Sequence, residues 1–290
     1  LSMMNDLFLV ERLVRFYTGC SISLLNNERN DKKIMLKVKN VEIGSGIPKV
    51  CAPIVEKNQD DILEMGEILM AKKSVDIVEW RIDFFEECFN TQKLLETAGL
   101  LRAVIPGKPI LATFRTKNEG GEKNIEADVY IKMLENLAES GYVDIVDIEA
   151  YFMDRAKTEK IISKLKNKTV VIGSYHNFNK TPEYDEICER LKYMKEIGAD
   201  IPKLACMPEQ KNDVFTLMRA TNDFVTDNRN IPVITMSMDE IGKISRVSGK
   251  SFGSSVTFGC LGKASAPGQI NVDDLKNVLN IITLPEDEDE

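Results

Sequence analysis

Val78-Glu79-Trp80-Arg81-Ile82-Asp83 alternates apolar and charged side chains without a break. Successive side chains of a β-strand point to opposite faces, so one face of this segment is apolar and the other carries Glu79, Arg81 and Asp83. The surrounding chain decides where the charged face points. From Lys49 onward it repeats a short apolar run, a polar turn and an amphipathic stretch. The apolar runs lie at 49–55, 75–82, 109–114, 143–149, 168–175, 201–207, 232–238 and 253–260, spaced 21 to 34 residues apart. Helical patterns lie between them at 60–71, 125–139, 159–166, 182–197 and 213–225, and a last one spans about 272–282. Thr181-Pro182 reads as a helix start, with a capping side chain and proline at the first position.

Eight strand-helix units predict an α/β fold, a (β/α)₈ TIM barrel, ahead of a doubly wound open sheet. In a barrel the apolar parity meets the helices, and Glu79, Arg81 and Asp83 enter the lumen or its rim. The same parity places Thr113 with Arg115, Asp147 with Glu149, Ser174 with His176, and Ile201 with Lys203. Five strands thus send polar groups inward near their C-terminal ends, where active sites of this fold lie. Residues 34–44 alternate as Leu36, Val38, Val41 and Ile43 around Lys-Asn and read as an N-terminal β-hairpin. The expected organisation is an extension over 1–33 with no assigned function, one barrel domain over 34–283 and an acidic tail over 284–290. Met35 reads as a start.

Composition narrows the function classes. A net charge of -8 over 290 residues argues against nucleic acid or an anionic membrane as partner. No apolar run approaches the ~18 residues of a membrane span, and Asp6, Glu11, Arg12 and Arg15 interrupt any leader-like core. Six cysteines at 20, 51, 88, 188, 206 and 260 form no C-x-x-C pair. Cys51, Cys206 and Cys260 read as small core residues, and the compartment as a reducing cytoplasm. With one histidine and no cysteine cluster, no metal site is expected.

Lys203 stands in Ile201-Pro202-Lys203-Leu204-Ala205-Cys206-Met207. A charged amine in a buried strand is costly unless paired or used. The bland reading pairs it with Glu149 or Glu79; the sharp one makes it an amine nucleophile. His176 ends another strand with inward parity, one strand away, and serves as a proton carrier. Glu119, in Arg115-Thr116-Lys117-Asn118-Glu119-Gly120-Gly121, is placed to orient His176, and the double glycine lets that loop fold close. Arg246 suits a planar carboxylate because a guanidinium donates two parallel hydrogen bonds. The loop 263–269 follows the eighth strand, where barrels often hold anions.

These segments together resemble the type I 3-dehydroquinate dehydratase family. The marks are Glu79-Trp80-Arg81-Ile82-Asp83, Thr113-Phe114-Arg115 with Glu119-Gly120-Gly121, Ser174-Tyr175-His176 and Ile201-Pro202-Lys203. They continue with Thr235-Met236-Ser237-Met238, Ile244-Ser245-Arg246 and Ala264-Ser265-Ala266-Pro267-Gly268-Gln269, so the likeness runs from about Met35 to Ile282. The resemblance implies dehydration of 3-dehydroquinate to 3-dehydroshikimate in the shikimate pathway, without metal or organic cofactor. It implies that Lys203 forms an imine with the C3 ketone and that His176 moves the proton between C2 and the departing C1 hydroxyl. Glu119 matches the carboxylate positioning the histidine, and Arg246 the ligand of the substrate carboxylate. Glu79, Arg81, Arg115, Ser265 and Gln269 match residues that hold the hydroxyls and carboxylate. A homodimer is implied likewise. Two rival readings remain behind the dehydratase one: a class I aldolase, disfavoured because no glycine-rich phosphate loop is evident, and a non-catalytic quinate- or shikimate-binding protein, disfavoured because Lys203 and His176 are both present.

Overall fold

The computed structural model describes residues 36–282. The extension over 1–33 and the acidic tail over 284–290 lie outside the described residues. Eight parallel strands run in the order β10-β3-β4-β5-β6-β7-β8-β9. They are β3 (Lys49–Ile54), β4 (Ile77–Arg81), β5 (Ile110–Thr113), β6 (Ile145–Glu149), β7 (Val170–Asn177), β8 (Ile201–Cys206), β9 (Ile234–Ser237) and β10 (Val256–Phe258). The seam between β9 and β10 closes by a single parallel bridge, Val233 to Ser254, rather than a ladder. Ser254 extends it with its side chain: Oγ accepts from the Thr235 N–H at 3.0 Å and donates to the Thr235 carbonyl at 3.1 Å. The barrel is therefore the observed solution, and the open sheet is excluded.

The predicted hairpin is present as β1 (Leu36–Val38) and β2 (Val41–Ile43), antiparallel, with Lys39 in the turn at φ 52. Its Val38, Val41 and Ile43 pack in one cluster with Cys51, Ile77, Leu111, Ile145, Ile172, Ile201, Ile234 and Val256. That set contains one inward residue from each of the eight strands. An apolar plug thus fills the N-terminal half of the lumen, and the hairpin covers it. Two residues further along, five of the eight strands turn polar on the inward face: Glu79, Thr113, Asp147, Ser174 and Lys203 are all buried. The period of two that begins in an apolar layer therefore ends in a charged one.

The opposite strand faces build the main core against the helices, with Trp80, Ile82, Phe114, Ile148 and Leu204 fully buried there. The helices around the barrel are α1 (Gln59–Ala71), α2 (Thr91–Val104), α3 (Ala127–Ser140), α4 (Arg155–Leu165), α5 (Tyr184–Glu196), α6 (Lys211–Asp227) and α9 (Val272–Ile281). Two short helices, α7 (Lys243–Val247) and α8 (Gly249–Phe252), stand between β9 and β10. Side chains start several of them: Asn58 accepts from the Asp61 N–H, Asn90 from Lys93 and Asp154 from Lys157, each such cap being worth about 1 kcal/mol. Thr181-Pro182 is a correction. Helix α5 begins two residues later, with Glu183 at the cap position. The Thr181 hydroxyl instead bonds the Met207 carbonyl at 3.0 Å, tying the β7 connection to the end of β8. Cys51 and Cys206 are core residues as expected, whereas Cys260 is only half-buried, because it follows the end of β10 at the barrel rim. Among the described residues no helix is long and apolar enough to cross a membrane.

Candidate active site

The C-terminal mouth of the barrel is a pocket lined by all nine residues singled out in the sequence: Lys203, His176, Glu119, Glu79, Arg81, Arg115, Arg246, Ser265 and Gln269. The strand period delivers the first set. Glu79 and Arg81 stand on β4, Lys203 on β8 and His176 on β7, each at the inward parity. Arg115 follows β5, and Glu119 ends a 3₁₀ turn, Lys117–Glu119.

Lys203 is buried, and its Nζ donates to Asp147 Oδ2 at 3.1 Å. The Phe258 ring lies on another side, with its centroid 4.7 Å from Nζ. The alternative of a structural pairing with Glu149 or Glu79 is not found; the amine pairs with Asp147. The strand ladders align Lys203 with Ser174 and Glu149, but Glu149 is taken up by the Thr116 N–H and hydroxyl and by Arg115, and the amine reaches Asp147, the next inward residue toward the start of β6. Asp147 is wholly buried, and its Oδ1 accepts from Arg115 Nη2 at 2.7 Å and Ser174 Oγ at 2.6 Å. Burial alone would raise its carboxyl, but Arg115 and Lys203 beside it hold it below the usual carboxylate range.

His176 Nδ1 lies 2.9 Å from Glu119 Oε2, and the same oxygen accepts the His176 backbone N–H at 3.0 Å and Arg115 Nη1 at 3.2 Å. An oxygen with donors converging on it acts as an acceptor, so Nδ1 carries the proton and Nε2 presents its lone pair to the pocket. Burial, followed by the positive charges of Arg115, Lys203 and Arg81, holds the imidazole well below its ordinary pKa. The imidazole is therefore neutral at neutral pH. Burial also pushes the Glu119 carboxyl well up, with Arg115 opposing and Glu149 and Asp147 adding to the rise. The double glycine performs as expected. Gly120 takes φ +85, and a Cβ on Gly121 would stand 1.9 Å from the Arg115 carbonyl oxygen, so only glycine lets the loop approach.

The four cations of the mouth are not equivalent. Arg81 is held bidentately by Asp83 at 2.8 Å on both bonds. Arg115 is engaged by Glu119, Glu149 and Asp147. Arg246 has no carboxylate partner among the described residues. It is 1% exposed, donates only to the Phe258 and Pro267 carbonyls and to the Met236 sulfur, and its Nε is buried without a partner. Burial brings its pKa down to about 10, so it stays charged. A buried guanidinium with an orphaned donor points to an anion from outside. Ser265 and Gln269 bond each other across this spot, Gln269 Nε2 to Ser265 Oγ at 3.0 Å.

Sequence reasoning missed the apolar wall of the pocket, formed by Phe178, Met236, Met238 and Phe258. Met236, Met238 and Phe258 carry the inward parity of β9 and β10, so the period contained the signal; their side chains advertise no chemistry. Among the described residues no group of three or more His, Cys, Asp or Glu is arranged to hold a metal ion.

A barrel whose mouth buries an amine beside a neutral imidazole defines a class of enzymes that act on carbonyl compounds through an amine. The comparisons narrow that class. Residues 50–286 match the family model for type I 3-dehydroquinase. The chain is 43% identical over 250 residues to the 3-dehydroquinate dehydratase of Clostridioides difficile (strain 630), covering 86% of this chain and 98% of that protein. It is 44% identical over 245 residues to that of Listeria monocytogenes strain EGD-e, covering 84% and 96%. A crystal structure of the Clostridium difficile type I 3-dehydroquinate dehydratase with covalently modified comenic acid superposes with a TM-score of 0.82 at 43% identity, covering 86% of this chain and 98% of that one. The Enterococcus faecalis 3-dehydroquinate dehydratase follows at 0.80 and 36%, covering 86% and 100%. The chain belongs to the type I 3-dehydroquinase family.

Proposed function

We propose that this chain dehydrates 3-dehydroquinate to 3-dehydroshikimate, a step of the shikimate pathway, through an imine on Lys203. Lys203 Nζ attacks the C3 carbonyl and one water leaves, giving a protonated imine. His176 Nε2 takes a proton from C2, and the electron pair moves into the carbon–nitrogen system as an enamine. The electrons return as the C1 hydroxyl departs, taking the proton from His176 as water. A second water then hydrolyses the conjugated iminium, freeing product and Lys203, so the balance is the loss of one water. The protonated imine is the electron sink.

The single observation that carries this reading is that buried Lys203, the Glu119-fixed His176 and Arg246, whose Nε has no partner and which has no carboxylate partner among the described residues, line one pocket. Arg246 receives the C1 carboxylate, with Ser265 and Gln269 exchanging their mutual bonds for the ligand. Glu79, Arg81 and Arg115 complete the polar wall that meets the hydroxyls. The chain works in the cytoplasm, supported by unpaired cysteines among the described residues, and as a homodimer, supported by the family likeness. Sedimentation tests the latter. Its partner is the small-molecule substrate, not nucleic acid or membrane, in keeping with the net charge of -8. Borohydride reduction in the presence of 3-dehydroquinate, followed by peptide mass mapping, should place the adduct on Lys203. An adduct on another lysine, or none, overturns the reading.

A further inference from the structure

Lys203 is joined by a carboxylate that the nine pocket residues do not include. Asp147 lies beneath the pocket floor, wholly buried, with Oδ2 3.1 Å from Nζ. It is fixed from behind, because Oδ1 accepts from both Arg115 Nη2 and Ser174 Oγ. Lys203 Nζ has no other carboxylate partner among the described residues. Other charged or titratable groups surround the amine: Cys51 from β3, Glu79 and Arg81 from β4, and Arg115 after β5. His176 on β7 and Arg246 on α7 complete the ring.

We propose that Asp147 is the counter-ion of the reacting nitrogen, first holding the Lys203 ammonium and then accepting the N–H of the protonated imine. The proposal rests on the imine reading of Lys203. Condensation changes the nitrogen from a primary ammonium to an iminium but leaves one N–H and the positive charge. A carboxylate already aimed at Nζ meets that charge without reorganising. It keeps the imine protonated, which is the state that draws the electron pair released at C2. It also orients the N–H, and with it the plane of the imine, so that the C2–H bond faces His176. The cost is that the same carboxylate favours the ammonium of the free enzyme, which cannot attack. Arg115 and Ser174 limit that cost by drawing the other oxygen away.

Asp147→Asn removes the charge at nearly constant shape. In the parent, mass mapping after borohydride reduction with 3-dehydroquinate establishes whether the adduct is on Lys203; an adduct elsewhere overturns the imine reading and this proposal with it. In Asp147→Asn, kcat should fall about 100-fold, with KM changed much less. The pH profile of borohydride trapping should move to lower pH, because the amine loses its anion. Intact mass spectra should show covalent adduct accumulating, because elimination slows after the imine has formed. A packing role alone moves neither the trapping profile nor the adduct level. Parent-like kcat and an unmoved trapping profile in a folded Asp147→Asn overturn the proposal. If circular dichroism shows that this variant does not fold, Ser174→Ala keeps the charge but removes one anchor of Oδ1. It should lower kcat several-fold at unchanged KM, and an unchanged kcat there overturns the proposal.

Discussion

Arg246 buries a guanidinium with no carboxylate beside it, and its Nε lacks any partner. Arg81 and Arg115, by contrast, are neutralised by acids of their own chain. Of the three arginines lining the pocket, only Arg246 is left without an internal carboxylate among the described residues. Arg246→Lys keeps the charge but loses the planar fork, and binding should weaken by about 1.5–3 kcal/mol, the worth of a hydrogen bond to a charged group. Steady-state kinetics should show this mainly as a raised KM, extending to kcat if the contact also holds C2 against His176. Parent-like kinetics in Arg246→Lys and Arg246→Ala would mean that the carboxylate lies elsewhere. His176 carries a pH prediction. As the proposed base it would work neutral, and burial with the cations around it lowers its pKa. As pH falls through ~6.5, the ordinary histidine value, the imidazole stays unprotonated, so kcat/KM should not lose activity there through His176. An acidic limb assigned to His176 should lie below that value, where the imidazole at last takes its proton. An acidic limb at or above it, abolished in His176→Ala, would contradict the reading.

The β9–β10 seam and the loop after β5 are the elements most dependent on single side chains. Ser254 Oγ replaces a missing ladder bond on each side, serving both the N–H and the carbonyl of Thr235. Ser254→Ala leaves both buried groups short of a partner and should cost about 1–3 kcal/mol in denaturant unfolding. An unchanged midpoint would show that the bridge at Val233 closes the barrel by itself. In the loop, Gly121→Ala drives a methyl against the Arg115 carbonyl. The loop must move, carrying Glu119 off His176, and kcat should fall about 100-fold for a displacement near 1 Å. Gly141 offers the contrast: at φ +71 a Cβ meets nothing within 4 Å. Gly141→Ala should cost only the ~1–2 kcal/mol of a left-handed alanine and leave kcat alone.

Across the whole molecule the barrel divides its lumen by height. The N-terminal half is an apolar plug closed by the hairpin, and the C-terminal half is charged. Stability and chemistry are thus separable by position. Ile43 is fully buried under the plug, and Ile43→Ala should lower unfolding free energy by about 2–5 kcal/mol while kcat at permissive temperature stays at the parent level. A large loss of kcat in folded Ile43→Ala would show that the plug transmits strain to the mouth. The division was legible along each strand, as in Ile77-Val78-Glu79-Trp80-Arg81, where inward positions run from apolar to charged.

Read residue by residue, the chain by itself determined which side chains face inward, because a period of two allows no other grouping once the helices claim the apolar parity. It determined the number of strand-helix units, and through the order of its motifs the family. Partners were settled only by the tertiary structure. Lys203 could have met Glu79, Asp147 or Glu149; the ladders bring it level with Glu149, but Thr116 and Arg115 occupy that carboxylate and the amine turns to Asp147. Arg81, Arg115 and Arg246 look alike in sequence, yet the first two spend their charge on neighbours and the third does not. Met236 and Phe258 carried the right parity but no chemical mark, so only the closed barrel placed them against Arg246 and Lys203. Parity is local and repeats along one strand, whereas pairing depends on how far each strand is shifted against the others, and that shift is set by packing of the whole barrel.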